Sequence, residues 1–249
     1  MSWFQLFLTN LKMLYRNWRG LFWTIAFPLG LYIGLSVIKL SPNIGGQKID
    51  YSTYLLPGMI ALTIAQTGVF SLAYWLVDLK ERGVLKRLQA TPLSDFEMLS
   101  ALISTRLVVM LVQVGLLTII GGLFFHVHFA GSLLSLIILC IFGGICFLSI
   151  GFLISTISKN YDEAAPITTI VNLVFTFLGN IFFPSSVLPA SLRSIAAKLP
   201  ITYLADGLRN AYLGTSTFAN TGLDLLALII WMVILFGCAI YMLRRVQKA

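Results

Sequence analysis

Six long apolar stretches divide the chain, and each is close to the length that crosses a bilayer. A transmembrane helix needs about 20 mostly apolar residues. The fold class expected from this pattern is an all-α integral membrane protein with six transmembrane helices. The predicted spans are Leu21 to Ile38, Tyr54 to Val77, Leu107 to Phe125, Leu133 to Ile157, Ala164 to Phe183 and Leu223 to Leu243.

The first 19 residues carry a different pattern, typical of a helix that lies along a membrane surface. Phe4, Phe7, Leu11 and Leu14 recur at steps of three and four, so they share one face of a helix whose other faces are polar. The alternative is a plain extension of the first span. That extension would place basic residues such as Lys12 in hydrocarbon, which is costly.

Composition supports the membrane assignment and gives the chain its orientation. Of the 249 residues 58% are hydrophobic and 10% are charged, whereas soluble domains carry about 25% charged residues. Most of the 17 Lys and Arg residues fall on the side of the predicted spans that holds both termini, and basic loops stay in the cytoplasm. We therefore expect both termini in the cytoplasm. The net charge of +8 indicates lipid headgroups as partners and no nucleic acid, because the basic residues lie at the ends of apolar runs.

The densest run of charge lies between the second and third spans, on the expected cytoplasmic side. Residues Leu79 to Ala90 predict a short amphipathic helix, which Pro92 ends. Ser94 and Glu97 then form a capping box that predicts the start of a new helix. Two interpretations stay open: a helix that only holds the two spans at the right depth, and a rigid lever that carries motion from a soluble partner.

This segment and a second tract resemble a known family. The run Glu-Arg-Gly-Val-Leu-Lys-Arg-Leu, followed by Ala-Thr-Pro-Leu-Ser, is similar to the cytoplasmic signature of the type-2 integral membrane permeases of ATP-binding-cassette exporters, of the drug, nodulation-factor and polysaccharide export group. Val84 departs from the threonine that drug-export members often carry there. The matching residues are Glu81 to Leu88, Ala90 to Ser94, Phe183 to Pro184, Leu188 to Pro189, Pro200 to Tyr203 and Asp206 to Arg209.

The resemblance implies a partner that hydrolyses ATP. In the family, the segment matching Leu79 to Ala90 is the coupling helix, seated in a cleft of a separate ATPase subunit. The chain has no Gly-x-x-x-x-Gly-Lys phosphate loop, so ATP and Mg belong on the partner and this chain is not itself an enzyme. A second copy of the permease, in a homodimer, is expected as well. The implied ATPase contacts are Glu81, Arg82, Leu85, Lys86, Arg87 and Leu88.

The tract before the last span is the expected outer gate. The resemblance implies a re-entrant helical hairpin over residues 184–213, while the sequence alone also allows a surface loop with two amphipathic helices. Asp206 and Arg209 are spaced to pair on one helical turn. Within residues 1–249, read as one permease domain, the expected gate residues are Pro184, Pro189, Pro200, Asp206 and Arg209.

Few side chains in the predicted spans are ionisable or strongly polar. Proton-coupled carriers mark their paths with intramembrane Asp, Glu or His, and Asp78, Asp95 and Asp224 lie at span ends. His126 and His128 stand without enough ligand side chains nearby for a metal, and no catalytic group is expected. The expected substrate path contains Gln66, Phe70, Asn172 and Asn180, for which interhelical packing is the alternative role.

The sequence therefore predicts the membrane subunit of an ATP-driven exporter in a bacterial inner membrane. An amphipathic substrate is expected, whether drug or antibiotic, lipid or lipid-linked glycan. A channel or secondary carrier that works without ATP is the alternative of a different class, and an intramembrane enzyme is a remote third.

Overall fold

In a computed structural model, the protein is almost entirely helical. The structure describes residues 3–38, 43–44, 47–48, 50–83, 95–214 and 218–246. Within them, Asn43–Ile44 and Gln47–Lys48 pair as a two-residue antiparallel ribbon. The α-helices are α1 (Trp3–Arg16), α2 (Trp18–Ser36), α3 (Tyr51–Glu81), α4 (Asp95–Phe125), α5 (Leu133–Ile157), α6 (Tyr161–Leu178), α7 (Ala190–Ala196), α8 (Pro200–Leu213) and α9 (Phe218–Val246).

Helix α3 is the centre of the bundle. It is 31 residues long, and most of its residues are buried. It packs against α2, α4, α5, α6 and α8. We call the end of the bundle where α3 ends and α4 begins the proximal end, and the end where α3 begins and α6 ends the distal end.

Two glycines bring α3 and α5 into backbone contact. A Cβ atom built at Gly151 would lie 2.7 Å from the carbonyl oxygen of Val69 and 2.8 Å from that of Gly68. A Cβ atom at Gly68 would lie 2.6 Å from the Cβ atom of Phe147. No other residue type fits at either position, and small residues at helix crossings are the usual means of close packing in membrane proteins.

Among the described residues, four helices are long and apolar enough to cross a membrane: α3, α5, and the segments Glu97–Phe125 of α4 and Thr221–Met242 of α9. These overlap four of the six predicted spans, although the third begins at Glu97, well before the predicted Leu107. The other two predictions fall on α2 and α6, which have 19 and 18 residues. The chain is thus confirmed as a mainly helical membrane protein.

Helix α6 differs from the predicted Ala164 to Phe183 span at both ends. It begins three residues earlier, at Tyr161, and ends at Leu178. Asn180 then adopts a positive φ of 54°, a left-handed conformation that asparagine tolerates better than most residues. The chain turns there and leaves the helical axis, so the last predicted residues lie outside the helix.

The N-terminal helix exists as predicted but ends earlier than residue 19. Helix α1 ends at Arg16, and α2 begins at Trp18, before the predicted Leu21. The Asn17 side chain accepts a hydrogen bond from the Gly20 amide at 3.4 Å, which caps α2. Helix α1 packs on α4, and the Trp3 Nε1 atom donates to the Ser100 hydroxyl at 3.0 Å.

The tract 184–213 contains a short 3₁₀ turn followed by α7 and α8. Helix α7 is largely exposed, whereas α8 is largely buried against α3, α5 and α9. The loop before α5 holds the end of α8, because the amides of Ala130 and Ser132 each donate at 3.1 Å to carbonyl oxygens at Tyr212 and Ala211. Helix α8 is therefore part of the packed bundle.

We expect Gly151→Ala to destabilise the protein by about 1–3 kcal/mol, because the added methyl group would force α3 and α5 apart. The measurement is thermal or denaturant unfolding of purified protein in a mild detergent. Gly30→Ala in α2 is the matched control, since nothing lies within 4 Å of a Cβ atom there. Equal unfolding midpoints for the two variants would contradict the close contact.

Candidate functional site along helix α3

The distal end of α3 meets α8 and the turn after α6 in a polar cluster, in which Tyr54 and Arg209 are buried and Asn180 and Asp206 are half-buried. We define this distal cluster as Tyr54, Asn180, Asp206 and Arg209. The Tyr54 hydroxyl donates to the Asn180 side-chain oxygen at 3.0 Å. The Asn180 amide nitrogen donates to Asp206 at 2.6 Å, and Arg209 donates to the Asn180 carbonyl oxygen at 2.9 Å.

Arg209 is the positively charged residue of the distal cluster. It is buried, lies 4.1 Å from the centre of the Tyr54 ring and pairs with Asp206 at 2.7 Å. Stacking on an aromatic face suits a guanidinium that has left water. Burial raises the pKa of the Asp206 carboxyl, while Arg209 and the Asn180 hydrogen bond partly oppose that shift. The cluster thus fixes α8 and the turn after α6 to α3.

The middle of α3 faces α6 along a mixed aromatic and polar seam. The hydroxyls of Tyr74 and Thr168 are 2.9 Å apart, and the rings of Phe70 and Tyr74 are 5.5 Å apart. Since α3 and α6 run in opposite directions, Phe70 and Asn172, each one turn away from the Tyr74–Thr168 contact, lie at the same depth. The Asn172 side-chain oxygen is buried and has no hydrogen-bond partner within the described part of the chain.

The proximal end of α3 is tied to the turn between α5 and α6. We define this proximal latch as Lys80, Glu81, Ser155, Ser158 and Tyr161. The Lys80 ammonium donates to the carbonyl oxygens of Ser155 and Ser158, and the Glu81 carboxylate accepts from the Tyr161 amide at 2.7 Å. A carboxylate at a helix N-terminus also interacts favourably with the helix dipole. The last turn of α3 therefore holds the start of α6.

The structure places part of the predicted ATPase contact. Residues Leu79 to Glu81 form the last turn of α3 instead of starting a separate helix, and Gly83 follows with a positive φ of 65°. Arg82 pairs with Asp78 at 2.7 Å on an exposed surface. The rest of the predicted contact lies outside the described residues: Leu85, Lys86, Arg87 and Leu88. Helix α4 is described from Asp95, and Pro92 and the predicted cap Ser94 also lie outside the described residues.

The predicted gate and path residues lie in the tract 184–213, in the distal cluster and along α3 and α6. The prolines begin short elements: Pro184 precedes the 3₁₀ turn, Pro189 precedes α7 and Pro200 is the first residue of α8. The predicted Asp206–Arg209 pair is confirmed. Asn180, predicted on the path, lies in the distal cluster. Gln66 is half-buried on α3.

Several residues of these sites were not predicted from the sequence. In the sequence, Tyr54 indicates only the start of a span, and Lys80 is only one cation of a charged run. Tyr161 contributes its backbone amide, which any residue type would supply. Asn180 offered one local signal, because a Gly-Asn pair at the end of an apolar run is typical of a helix end.

Long apolar helices packed around α3 define a polytopic membrane protein. The chain belongs to the ABC-2 family of transporter proteins, since residues 45–241 match the family described as "ABC-2 family transporter protein". This confirms the resemblance to type-2 ABC permeases and the role of a transport subunit in a membrane.

Curated relatives agree with the family. Nodulation protein J of Rhizobium leguminosarum bv. viciae is 25% identical over 223 residues, which are 88% of this chain and 82% of the relative. The inner membrane transport permease YadH of Escherichia coli K12 is 23% identical over 178 residues, 69% of each chain. The probable multidrug ABC transporter permease YbhR of Escherichia coli K12 is 24% identical over 168 residues, 67% of this chain and 45% of the relative.

We expect Arg209→Gln to destabilise the purified protein by about 1–3 kcal/mol, because partners in the distal cluster lose a charged donor. Unfolding in detergent measures the change. Arg193→Gln is the matched control on the same hairpin, since Arg193 is exposed and its removal leaves its partners in water. A loss for Arg209→Gln no larger than that of the control would refute the cluster.

We expect Glu81→Ala to speed hydrogen exchange of the Tyr161 amide roughly fivefold, because a cap of this kind contributes about 1 kcal/mol. Hydrogen–deuterium exchange of the peptide around Tyr161 reports the change. Glu81→Gln keeps an acceptor oxygen and should exchange close to the wild-type rate. Unchanged exchange in Glu81→Ala would show that the proximal latch does not form.

Proposed function

We propose that this chain is the membrane-spanning permease subunit of an ATP-driven exporter, which couples ATP hydrolysis by a separate subunit to the export of an amphipathic substrate. The observation that carries this proposal is the continuity of α3. One helix joins the segment that resembles a coupling helix, at the proximal end, to the distal cluster at the other. Membership of the ABC-2 family supplies the transport class.

The proposed topology has six spans, with α2 and α6 crossing the membrane beside the four longer helices. The proximal end faces the cytoplasm together with both termini, as the distribution of basic residues favours. Residues 1–249 then form one permease domain in a cell membrane, with α1 lying at the cytoplasmic surface and the hairpin 184–213 re-entering from the outside. In this arrangement the buried α8 satisfies the rule that irregular backbone at membrane depth packs on protein.

Coupling begins at the cytoplasmic face. The ATPase subunit binds ATP and Mg and contacts the coupling segment at the end of α3 through Glu81, Arg82, Leu85, Lys86, Arg87 and Leu88. Because the Glu81 carboxylate also accepts from the Tyr161 amide, we assign Glu81 a second role, which is to hold the α5–α6 turn to the moving segment. A push on the coupling segment then displaces α3 and α6 together.

At the outer face, the same displacement reaches the gate. Arg209 and Asn180 connect α8 to α3 through the distal cluster, so α3 cannot move without straining or carrying the hairpin. Pro184, Pro189 and Pro200 set the bends between its short elements. We propose that this hairpin opens the exit when ATP binds.

The proposed substrate path follows the seam between α3 and α6, where Gln66, Phe70 and Asn172 provide apolar and polar contacts. The unpartnered Asn172 oxygen supports this assignment, since a buried acceptor without a partner is available to a ligand. A second copy of the chain completes the path in a homodimer. The substrate is an amphipathic molecule of the drug, lipid or lipid-linked glycan type, and relatives named as a nodulation protein and a multidrug permease are compatible with that class.

Pull-down of the ATPase subunit by the tagged permease tests the docking step. We expect the double variant Leu85→Asp, Leu88→Asp to lose most of the ATPase, because two charges replace the apolar contacts of the coupling helix. The matched control is the double variant Leu192→Asp, Ile195→Asp on α7. Both of these side chains are exposed, and they lie at the distal end, away from the coupling segment. Equal recovery with both double variants would refute docking at this segment.

Transport by reconstituted protein tests the energy source. We expect no export by the permease alone in liposomes that carry only a substrate or proton gradient, and export once the ATPase subunit and ATP are added. Gradient-driven transport by the permease alone would contradict the proposal and favour a channel or secondary carrier.

A further inference from the structure

Arg106 is a half-buried cation with no role in the proposed transport mechanism. It lies within the span Glu97–Phe125 of α4, whereas the sequence alone placed it just before a span. Its Nε atom is buried and has no hydrogen-bond partner among the residues that the structure describes. Among the described residues, the ion pairs join Arg82 to Asp78 and Arg209 to Asp206, and none includes Arg106.

Helical spacing places Arg106 on the inner face of α4. Gln113, seven residues further on, lies on the same face. Gln113 is buried, accepts a hydrogen bond from Thr67 of α3 at 3.0 Å and donates to the Thr24 carbonyl oxygen of α2 at 3.1 Å. Arg106 therefore faces the junction of α2, α3 and α4, about 10 Å closer to the proximal end.

The break between α1 and α2 lies at the same depth. Asn17 precedes Thr24 by seven residues, as Arg106 precedes Gln113, and α2 and α4 both run away from the proximal end. The contact between Thr24 and Gln113 therefore brings Asn17 and Arg106 to one level. Helix α1 packs on α4 from there to Ser100. Arg106 therefore lies at the depth of the turn between α1 and α2, on the helix that α1 packs against.

The charge around this junction is positive and unbalanced. Lys12, Arg16 and Arg19 are exposed on α1 and at the start of α2, and residues 1–49 contain no Asp or Glu. The acidic side chains that the structure describes on the proximal halves of α3 and α4 have other interactions: Asp78 pairs with Arg82, Glu81 binds the Tyr161 amide, and Glu97 has a partner of its own.

An unpaired guanidinium inside a membrane protein is costly, and an anionic partner removes much of that cost. A phosphate group matches the planar fork of an arginine through two parallel hydrogen bonds. Basic side chains beside an interfacial amphipathic helix attract anionic headgroups of the cytoplasmic leaflet. The Arg106 side chain leaves α4 towards its N-terminus, as side chains on helices do, and so towards that headgroup layer.

We propose that Arg106 binds the phosphate of an anionic membrane lipid, whose headgroup sits in the junction of α1, α2 and α4 at the cytoplasmic face. Arg16 and Arg19 attract the headgroup from the exposed side, and Arg106 holds it from within. The leaflet follows from the proposed orientation, whereas the binding itself requires neither the ATPase subunit nor transport. The site differs from the α3–α6 seam, which lies on another side of α3.

Native mass spectrometry of the purified full-length chain in neutral detergent tests the site, with phosphatidylglycerol as the probe and phosphatidylcholine of equal chain length as its zwitterionic match. We expect Arg106→Gln to weaken phosphatidylglycerol binding roughly tenfold or more, because a charged hydrogen-bonding partner is lost. Phosphatidylcholine binding should change little. Lys159→Gln is the matched control, since it removes one exposed positive charge at the same face.

Arg106→Lys is a second variant that separates a loss of lipid binding from a loss of folding. Lysine keeps the positive charge but lacks the planar guanidinium with its two parallel donors. We expect a smaller but measurable loss of phosphatidylglycerol binding, with unchanged helix content by circular dichroism. Equal phosphatidylglycerol binding by wild type and both Arg106 variants would overturn the proposal. Competition by millimolar inorganic phosphate as effective as that by the lipid would overturn the assignment to a lipid and leave a site for free phosphate.

Discussion

The backbone contact between α3 and α5 at Gly68 and Gly151 is the constraint on which the rest of the bundle depends. At this crossing the two main chains touch with no side chain between them, and lipid offers little hydrophobic drive for helices to associate, so close packing holds them. Helices α2, α4, α6 and α8 then arrange themselves around α3.

Because α3 is one continuous helix of 31 residues, we expect a displacement at one end to be transmitted to the other end. The proximal latch holds it to the α5–α6 turn, and the distal cluster holds it to α8 and the turn after α6. Both attachments use charged donors or acceptors, Lys80 and Glu81 at one end and Arg209 at the other. The strength of hydrogen bonds to charged groups depends strongly on geometry, so we expect a small displacement of α3 to change these bonds at both faces of the membrane.

Local patterns predicted much of this fold. Hydropathy located six of the helices, and i,i+3 spacing predicted the pair between Asp206 and Arg209. The distal cluster could not be predicted, because Tyr54 and Asn180 meet only through the packing of α3 against the turn after α6 and lie 126 residues apart in sequence. Glu81 was predicted as a partner contact from resemblance, and its bond to the Tyr161 amide depends on tertiary structure alone.

We propose that α3 moves as one rigid element between the ATPase subunit and the outer gate. Pulsed electron paramagnetic resonance between the two copies of the proposed homodimer tests this motion, with spin labels at Arg82 or at Thr53 and with the exposed Cys238 replaced. We expect ATP trapping to change the distance at both positions together. A change at Arg82 with none at Thr53 would contradict it.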